Sequence, residues 1–290
     1  MSSELLIPME PVLVSEPFDN PDYLYQVKWD GVRMLATQAD DGVTLWNRKG
    51  NLKTRLYPEV SLEVESLNLP SGTILDGEMV SFGENGKPDF RKILQRDLAS
   101  HPKPAVEVCY VVFDFLDGNR LNGGRSTYQV PLQERLLMMR DYVKPTAHIQ
   151  VTDDFQSGTV LFLRMQQLEM EGIVAKRRDG FYHPGEKHPS WQKVKCWRQL
   201  QVEVIGVQMK GGRPASLLVQ EPATGGEPLR VGSGLAHSDW SQILTYAESM
   251  EPDRKGIIAL HSGIQARVRF LEWTKTGHLR GPVVEELTFL

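Results

Sequence analysis

Short segments in which apolar and polar residues alternate recur along the first two thirds of the chain. Such segments predict β-strands, and turn residues separate them. The predicted strands cover 23–29, 32–38, 42–48, 72–82, 105–116 and 171–178. Apolar residues at helical spacing predict helices over 56–67, 132–143 and 157–170. Most links between the strands are too short for a helical crossover, so the predicted fold class is α+β, built on antiparallel sheets.

The pattern changes after Cys196, where short strands alternate with Gly-rich turns. The strands predicted there cover 201–210, 211–221, 227–235, 266–274 and 278–284, and one helix is predicted over 237–250. This arrangement is typical of a small β-barrel of the oligonucleotide-binding (OB) type. We therefore predict two domains, 1–198 and 199–290, with the boundary near residues 197–201.

Composition is that of a globular protein. The chain has 290 residues, 40% of them apolar, and a net charge of -4, which fits one large or two ordinary domains. No segment approaches the roughly 20 uncharged apolar residues of a membrane span, and the N-terminus lacks the pattern of a signal peptide. Cys109 and Cys196 have no metal-ligand spacing. These features predict a cytoplasmic protein with no membrane partner.

Basic residues cluster in three runs, 47–55, 175–178 and 193–198. The slightly acidic total charge argues against a general coat for nucleic acid, although clustering matters more than the sum. Any one of these runs, taken alone, is typical of a solvated face.

The segment 27–33, VKWDGVR, follows a predicted strand and is the first candidate for chemistry. Asp30-Gly31 also suits a tight hairpin turn, so the segment alone is open to an ordinary structural role. A set of charged and aromatic residues follows it in order along the chain, at strands or strand ends. Its members are Arg48 in WNRKG, Glu78 in LDGEMV, Phe113 in FDF, Glu171 in EGIVAK, and Lys193 and Lys195 in WQKVK.

This ordered set resembles the nucleotidyltransferase motifs shared by ATP-dependent DNA ligases, RNA ligases and mRNA capping enzymes. The wording of WDG, EGIVAK and WQKVK is most similar to bacterial ATP-dependent DNA ligases of the end-joining type, and the resemblance covers the whole chain. It implies an antiparallel-sheet nucleotidyltransferase domain, ATP-grasp-like, followed by an OB-fold domain. It also implies ATP as cofactor and nicked or broken double-stranded DNA as partner.

The chemistry of a lysine nucleophile explains why cations surround Lys28. A free lysine has a pKa near 10.4, and the amine must be neutral to attack. Arg33, Lys193 and Lys195 are the cations that would favour the free amine and hold the α-phosphate of the nucleotide. Attack by Lys28 on that phosphorus gives a lysyl-AMP and releases pyrophosphate.

Further roles are implied by the resemblance. Glu78 and Glu171 are the expected ligands of Mg²⁺ or Mn²⁺, with Glu78 also able to accept a ribose hydroxyl, and Phe113 is expected to pack on adenine. On pattern alone, Phe113 is typical of a strand core and a single glutamate of a solvated surface. Arg48 is expected to bind the DNA 5′-phosphate. Gln26 occupies the position where these ligases commonly carry a glutamate that reads the adenine amino group.

The C-terminus also departs from the family pattern. The usual Arg-x-Asp-Lys motif is replaced by VVEELTFL, and Arg280 and Lys275 are the nearest basic substitutes. Two alternatives to a DNA ligase stay open: an RNA ligase or mRNA capping guanylyltransferase, and a degenerate ligase that binds DNA ends without sealing them. As a DNA ligase, the chain is expected to be a nucleoid-associated monomer, with a DNA end-binding protein as a candidate helper.

Overall fold

The computed structural model describes residues 6–117, 127–222, 226–247, 251–260, 263–274 and 276–290. The chain forms two compact units, Met1–Cys196 and Trp197–Leu290. The assignment of residues 1–198 as a nucleotidyltransferase domain and of residues 199–290 as an OB-fold domain stays a prediction. None of the helices in the described ranges is long and apolar enough to cross a membrane.

The first unit contains two mostly antiparallel sheets. Its described strands are β1 (Glu10–Leu13), β2 (Tyr23–Val27), β3 (Val32–Ala39), β4 (Gly42–Asn47), β5 (Thr73–Val80), β6 (Cys109–Asp117), β7 (Ile149–Val151), β8 (Gly172–Arg177) and β9 (Lys187–Lys195). One sheet has the order β1-β9-β8-β2 and the other β4-β3-β5-β6-β7. Only the edge pairs β1 with β9 and β6 with β7 run parallel among these strands. The predicted α+β class with antiparallel sheets is confirmed.

Four α-helices accompany these sheets in the described part of the first unit. They are α1 (Pro58–Ser66), α2 (Phe90–Asp97), α3 (Leu132–Tyr142) and α4 (Gly158–Gln167), and 3₁₀ turns lie at Thr54–Leu56 and Thr127–Gln129. The buried residues of α1 and α3 share one apolar core with the five-stranded sheet. Those of α4 pack with residues of β2 and β8 in a separate core. The three helices predicted here are therefore present, each shorter than predicted.

Helix α2 was not predicted from the sequence. Its residues, FRKILQRD, are mostly charged or polar, and only Ile93 is a buried apolar residue. Asp89 caps it, because its side chain accepts hydrogen bonds from the backbone N–H groups of Arg91 and Lys92. A capping aspartate before so short a helix is the local signal that marks it.

The second unit is built from short antiparallel strands and one described helix. The strands are β10 (Arg198–Lys210), β11 (Arg213–Gln220), β12 (Leu229–Val231), β13 (Ile257–Ala259), β14 (Ile264–Phe270), β15 (Glu272–Trp273), β16 (Leu279–Arg280) and β17 (Val283–Phe289), and the helix is α5 (His237–Tyr246).

The pairing order is β12-β11-β10-β14-β17, with β13 also pairing β10. Because no pairing closes this path within the described residues, the predicted OB barrel stays unconfirmed. The predicted helix over 237–250 is present as α5, and residues 248–250 lie outside the described ranges.

Candidate active site

Lys28 and Glu171 form a direct ion pair in the first unit. Lys28 follows β2, and its backbone N–H donates to the carbonyl of Gly172 at the start of β8, over 2.9 Å. Its Nζ donates to Glu171 Oε2 over 2.7 Å, while Lys195 Nζ lies 3.7 Å from Glu171 Oε1. The Glu171 side chain is only 9% exposed. Three residues of the predicted set therefore meet at one point, with one carboxylate between two ammonium groups.

Glycine permits the close backbone approach that this cluster needs. Gly172 has a φ of 144°, and a Cβ there would lie 2.0 Å from the carbonyl oxygen of Val194 on β9. A Cβ at Gly31 would lie 2.1 Å from the carbonyl oxygen of Met79 on β5. Larger residues at either position would push the Lys28 turn away from the strands that carry its partners.

Glu78 faces the same cluster from the five-stranded sheet. It lies on β5 directly opposite Arg33 of β3, so the two side chains share one face of that sheet. Burial raises the pKa of Glu78 to about 8, and the charges of Lys28 and Arg33 oppose that rise. The negative charge of Glu171 also raises the pKa of Glu78. Glu78 and Glu171 thus sit near enough to influence each other, although they belong to different sheets.

The raised pKa of Glu78 predicts a specific pH dependence of stability. An unfolded chain releases the Glu78 proton near the ordinary pKa of 4.5, whereas the folded chain keeps it up to about pH 8. The contribution of Glu78 to the free energy of unfolding is therefore full below pH 4.5 and is lost as the pH rises to 8. We expect the unfolding free energy of the wild type, minus that of Glu78→Gln, to fall steadily from pH 5 to pH 8.

Urea unfolding in the presence of a chelator, at several pH values, measures this difference. Glu65→Gln is the matched control, since Glu65 is exposed. A wild type and a Glu78→Gln variant with parallel pH profiles would contradict the prediction.

Phe113 lies beside two cations and a tryptophan. Its half-buried ring is 5.2 Å from the Arg33 guanidinium and 4.4 Å from Lys176 Nζ, and it meets Trp191 edge-on at 6.2 Å. Lys176 Nζ also donates to the carbonyl oxygen of Phe113 over 3.2 Å. Burial lowers the pKa of Lys176 to about 8, against the opposing fields of Asp114 and Asp76. The Phe113 ring therefore lies among charged side chains and is not enclosed in an apolar core alone.

Arg33 is held by Asp76. Its Nε and Nη2 donate to the two carboxylate oxygens of Asp76 over 2.8 and 2.6 Å. Tyr182 donates its hydroxyl to Asp76 as well, over 2.7 Å. The Arg33 and Asp76 side chains are 12% and 0% exposed. Arg33 thus lies near Phe113 and Glu78, but its charge is already paired, and its assignment to nucleotide phosphate stays a prediction.

Gln26 is a buried side chain on β2, two residues before Lys28. Its Nε2 donates to Asp154 Oδ1 over 2.8 Å. The other oxygen of Asp154 accepts from Arg140 Nη2. The amide of Gln26 is therefore bound to a carboxylate that lies 128 positions further along the chain.

Lys193 and Lys195 both lie on β9, with alternate spacing that places them on one face. Lys193 is half-buried, and burial lowers its pKa, with Lys28 and Lys195 adding to the effect. The positive charges of Lys28, Lys193 and Lys195 therefore lie near one another, and Lys28 and Lys195 both pair with Glu171.

Arg48 is separate from this cluster. It follows β4, is exposed, and its Nη1 donates to Glu10 Oε1 over 3.2 Å. Its 58% exposed side chain is open to solvent, as a contact to a large polyanion would require. Of the C-terminal substitutes, Arg280 donates to Glu272 over 2.9 Å, and Lys275 lies outside the described residues.

Another group of ionisable side chains lies at the β8–β9 hairpin. His183, Glu186 and His188 bring one ligand atom each within 4.8 Å of one another. The two imidazole rings are stacked, however, with centroids 3.8 Å apart and planes 18° from parallel. Lone pairs of parallel rings point in parallel directions and do not converge on one ion. The backbone N–H of Ser190 also donates to His188 Nδ1, over 3.2 Å.

Three residues of the site were missed by the sequence reasoning. Lys176 belongs to the basic run 175–178, for which a solvated face was the expectation, yet it is 2% exposed. Asp76 directly follows two apolar residues in the predicted strand segment TILDGEMV, and a charge beside such residues is a signal of a buried partner. Asp154 carries no local signal, because its contact with Gln26 arises only from the folded chain.

Comparison with known proteins gives consistent matches. The family model described as ATP dependent DNA ligase domain matches residues 12–195. The SPbeta prophage-derived DNA ligase-like protein LigB of Bacillus subtilis (strain 168) is 28% identical over 198 residues, which are 68% of this chain and 70% of LigB.

A mycobacterial protein and a solved mycobacterial structure match over more of the chain. The multifunctional non-homologous end joining DNA repair protein LigD of Mycobacterium tuberculosis (strain ATCC 25618 / H37Rv) is 30% identical over 278 residues, covering 89% of this chain and 35% of LigD. The solved structure of mycobacterial DNA ligase D complexed with ATP and MES matches with a TM-score of 0.57 and 27% identity, over 97% of this chain and 94% of that one. The chain thus spans about a third of the full LigD length.

Proposed function

The chain belongs to the ATP-dependent DNA ligase domain family, and from that membership we propose that it seals 5′-phosphate/3′-hydroxyl nicks in double-stranded DNA through a lysyl-AMP and then a DNA-adenylate. The observation that carries this proposal is the position of Lys28. Its amine is bound to Glu171, with Lys195 beside the same carboxylate and the half-buried Glu78 nearby. A nucleophile, two carboxylates and a set of cations are what adenylyl transfer to lysine requires.

In the first step, Lys28 Nζ forms a phosphorus–nitrogen bond to the α-phosphorus of ATP while the bond to the pyrophosphate oxygen breaks. Lys28 must lose a proton first, and Glu171 Oε2 already accepts a hydrogen bond from that amine. Lys193 and Lys195 would hold the phosphates, because both lie on β9 beside Lys28 and Glu171. Positioning and fixed charge then supply most of the catalysis.

The two glutamates fit a divalent cation. Glu78 and Glu171 offer carboxylate oxygens from facing sheets near Lys28, which is the donor type that Mg²⁺ or Mn²⁺ prefers. When bound, the ion would offset negative charge on the triphosphate. Binding requires Glu78 in its ionised form, so the raised pKa of this residue would be lowered in the loaded enzyme.

The adenosine would lie against Phe113. An aromatic ring stacks well on a purine base, and Gln26 and Lys176 would contribute polar contacts at its edge. Arg33 lies 5.2 Å from the Phe113 ring and is paired with Asp76. Its contribution to nucleotide binding would therefore be made through the ring that it supports.

In the second and third steps, AMP passes from Lys28 to the 5′-phosphate at the nick, and the 3′-hydroxyl then attacks that phosphate and releases AMP. The second unit is proposed to be the OB-fold domain that binds the duplex, through phosphates more than bases, since nick sealing must ignore sequence. Because similar proteins include LigD, a non-homologous end joining protein, we extend the proposal to double-strand breaks, with an end-binding protein as helper.

The intact mass of the protein after incubation with Mg²⁺ and ATP tests this proposal. We expect an added AMP that disappears when nicked DNA is supplied, with a sealed strand as product. An added GMP after incubation with GTP, and none with ATP, would favour a capping guanylyltransferase. A chain that neither gains AMP nor seals nicked DNA with or without ATP would overturn the proposal.

Arg48 provides a separate test of DNA binding. We expect Arg48→Ala to leave formation of the lysyl-AMP unchanged but to slow AMP transfer to nicked DNA by about tenfold or more, the loss expected for one charge-assisted phosphate contact. Because Arg48 is exposed, we expect its replacement to leave folding intact, since surface substitutions usually change stability little.

Single-turnover transfer from the preformed lysyl-AMP measures this step alone. Arg164→Ala is the matched control, because Arg164 is an exposed arginine on α4. Equal transfer rates for Arg48→Ala and the wild type would remove Arg48 from the proposed DNA contact.

A further inference from the structure

The Gln26 amide is fixed in one orientation by its partner. Gln26 is 2% exposed, and its Nε2 donates to Asp154 Oδ1 over 2.8 Å. An ionised carboxylate accepts hydrogen bonds but cannot donate one, so the nitrogen end of the amide must face Asp154. The oxygen end must then point away from Asp154, and within the described residues it accepts no hydrogen bond.

Asp154 is itself held in place. Its second oxygen accepts from Arg140 Nη2, and its side chain is 14% exposed. Because Arg140 occupies one oxygen and Gln26 the other, rotation of the carboxylate offers no alternative partner to the amide. The three side chains therefore form a chain of fixed donors and acceptors that begins at α3 and ends at β2.

The Gln26 side chain is expected to point to the same side of the chain as Lys28, the proposed nucleophile. Side chains two apart along a strand point the same way, and Lys28 follows Gln26 by two positions. The negative charge of Asp154 also acts to raise the pKa of Lys176, whose Nζ lies 4.4 Å from the Phe113 ring. Asp154 therefore lies near both Gln26 and Lys176, and Lys176 lies near Phe113.

We propose that Asp154 is a positioning residue for base selectivity: it locks the Gln26 amide so that only its oxygen faces the base. This inference rests on the proposed ligase function. Adenine carries an amino group that donates to such an oxygen, whereas guanine carries a carbonyl oxygen at the same ring position, which would be repelled. A free glutamine offers either end, because its amide can turn over. The Asp154 contact gives a glutamine the acceptor-only behaviour of a glutamate.

Rates of self-adenylylation and self-guanylylation of the full chain, measured by intact mass with ATP and with GTP, test this inference. Asp154→Asn keeps the shape of the side chain but can donate as well as accept, so Gln26 can then face it with either end. We expect the ATP-to-GTP rate ratio to fall about tenfold, mainly because the GTP rate rises, as for one hydrogen bond reversed in a binding site. The control is Asp153→Asn, since Asp153 is the adjacent, exposed aspartate.

A reciprocal exchange makes the test specific. Gln26→Glu places two carboxylates against each other, and we expect it to slow adenylylation. In the double variant Gln26→Glu/Asp154→Asn, the amide introduced at position 154 donates to the carboxylate introduced at position 26. That carboxylate keeps its second oxygen as an acceptor for adenine, so we expect adenylylation and ATP selectivity to return towards wild type. A purely structural role for Asp154 would not produce this rescue.

The outcomes separate this inference from the proposal that supports it. A wild type that gains AMP, together with an Asp154→Asn variant whose ATP-to-GTP ratio is unchanged, would overturn the inference and leave the ligase function intact. The same would follow if Asp154→Asn lowered both rates equally, or if the double variant were no better than Gln26→Glu. A wild type that gains neither nucleotide and seals no nicks would overturn both.

Discussion

Replacing Lys28 with arginine is expected to lower the rate of self-adenylylation by at least about a thousandfold, the scale on which loss of a covalent nucleophile acts. Arginine keeps a positive charge opposite Glu171, so it can replace Lys28 in the ion pair that spans 2.7 Å. Arginine stays protonated at any working pH and cannot attack phosphorus. The variant therefore removes the nucleophile while it retains the charge.

Intact mass with Mg²⁺ and ATP measures this loss, and a nick that already carries 5′-adenylate separates the steps. We expect Lys28→Arg to gain no AMP yet to seal the adenylylated nick at a reduced but measurable rate, because the last step needs no lysine nucleophile. Lys87→Ala is the control, since Lys87 is a partly exposed lysine paired with Glu169. A Lys28→Arg variant that still gains a full equivalent of AMP would show that another residue is the nucleophile.

The second large effect is expected at Asp76 and concerns stability. Asp76→Ala should lower the free energy of unfolding by about 3–5 kcal/mol, because it leaves the largely buried Arg33 side chain without its carboxylate partner. The Asp76 side chain is fully buried and accepts hydrogen bonds from Arg33 and Tyr182. Such a loss is a large part of the total stability of an ordinary domain.

Urea unfolding of the variant at neutral pH measures this effect. The matched control is Asp179→Ala, which removes a carboxylate from the exposed pair with Arg177. We expect no measurable change there, because solvent screens an exposed ion pair. An Asp76→Ala variant as stable as the wild type would mean that Arg33 can turn out to solvent at no cost, and would contradict the buried pairing as a source of stability.

Periodic patterns predicted the longer elements. The strands around Tyr23, Val32 and Thr73 and the helices α3 and α4 are examples, because a repeating apolar face is a local property of the sequence. Helix α2 was missed because it is short and Ile93 is its only buried apolar residue, while its other buried residues, Arg96 and Asp97, are charged. The closure of the second unit could not be predicted from periodicity, since pairing between distant strands depends on the whole fold.

The residues of the candidate site also divide into those that a local pattern predicts and those that only the fold brings together. Lys28, Glu171 and Lys195 were predicted as members of one set, and each of the two lysines lies within ion-pair distance of Glu171. Their roles in chemistry remain proposals. Asp76 and Asp154 were not predicted, because each acts through a partner that becomes a neighbour only in the folded chain. Lys176 is likewise buried, although a solvated face was expected for its basic run.

The position of β9 in its sheet has a consequence for the order of synthesis. Strand β9 carries Lys193 and Lys195 and lies between β8 and the parallel strand β1, with Glu10 opposite Lys187 and Leu13 opposite Lys193. A chain emerging from a ribosome can pair β3, β4 and β5 long before residue 187 has been made. Strand β1 cannot pair with β9 until nearly two hundred residues have been synthesised. Lys28 is therefore among the first residues of the site to be translated, while Lys193 and Lys195 are the last.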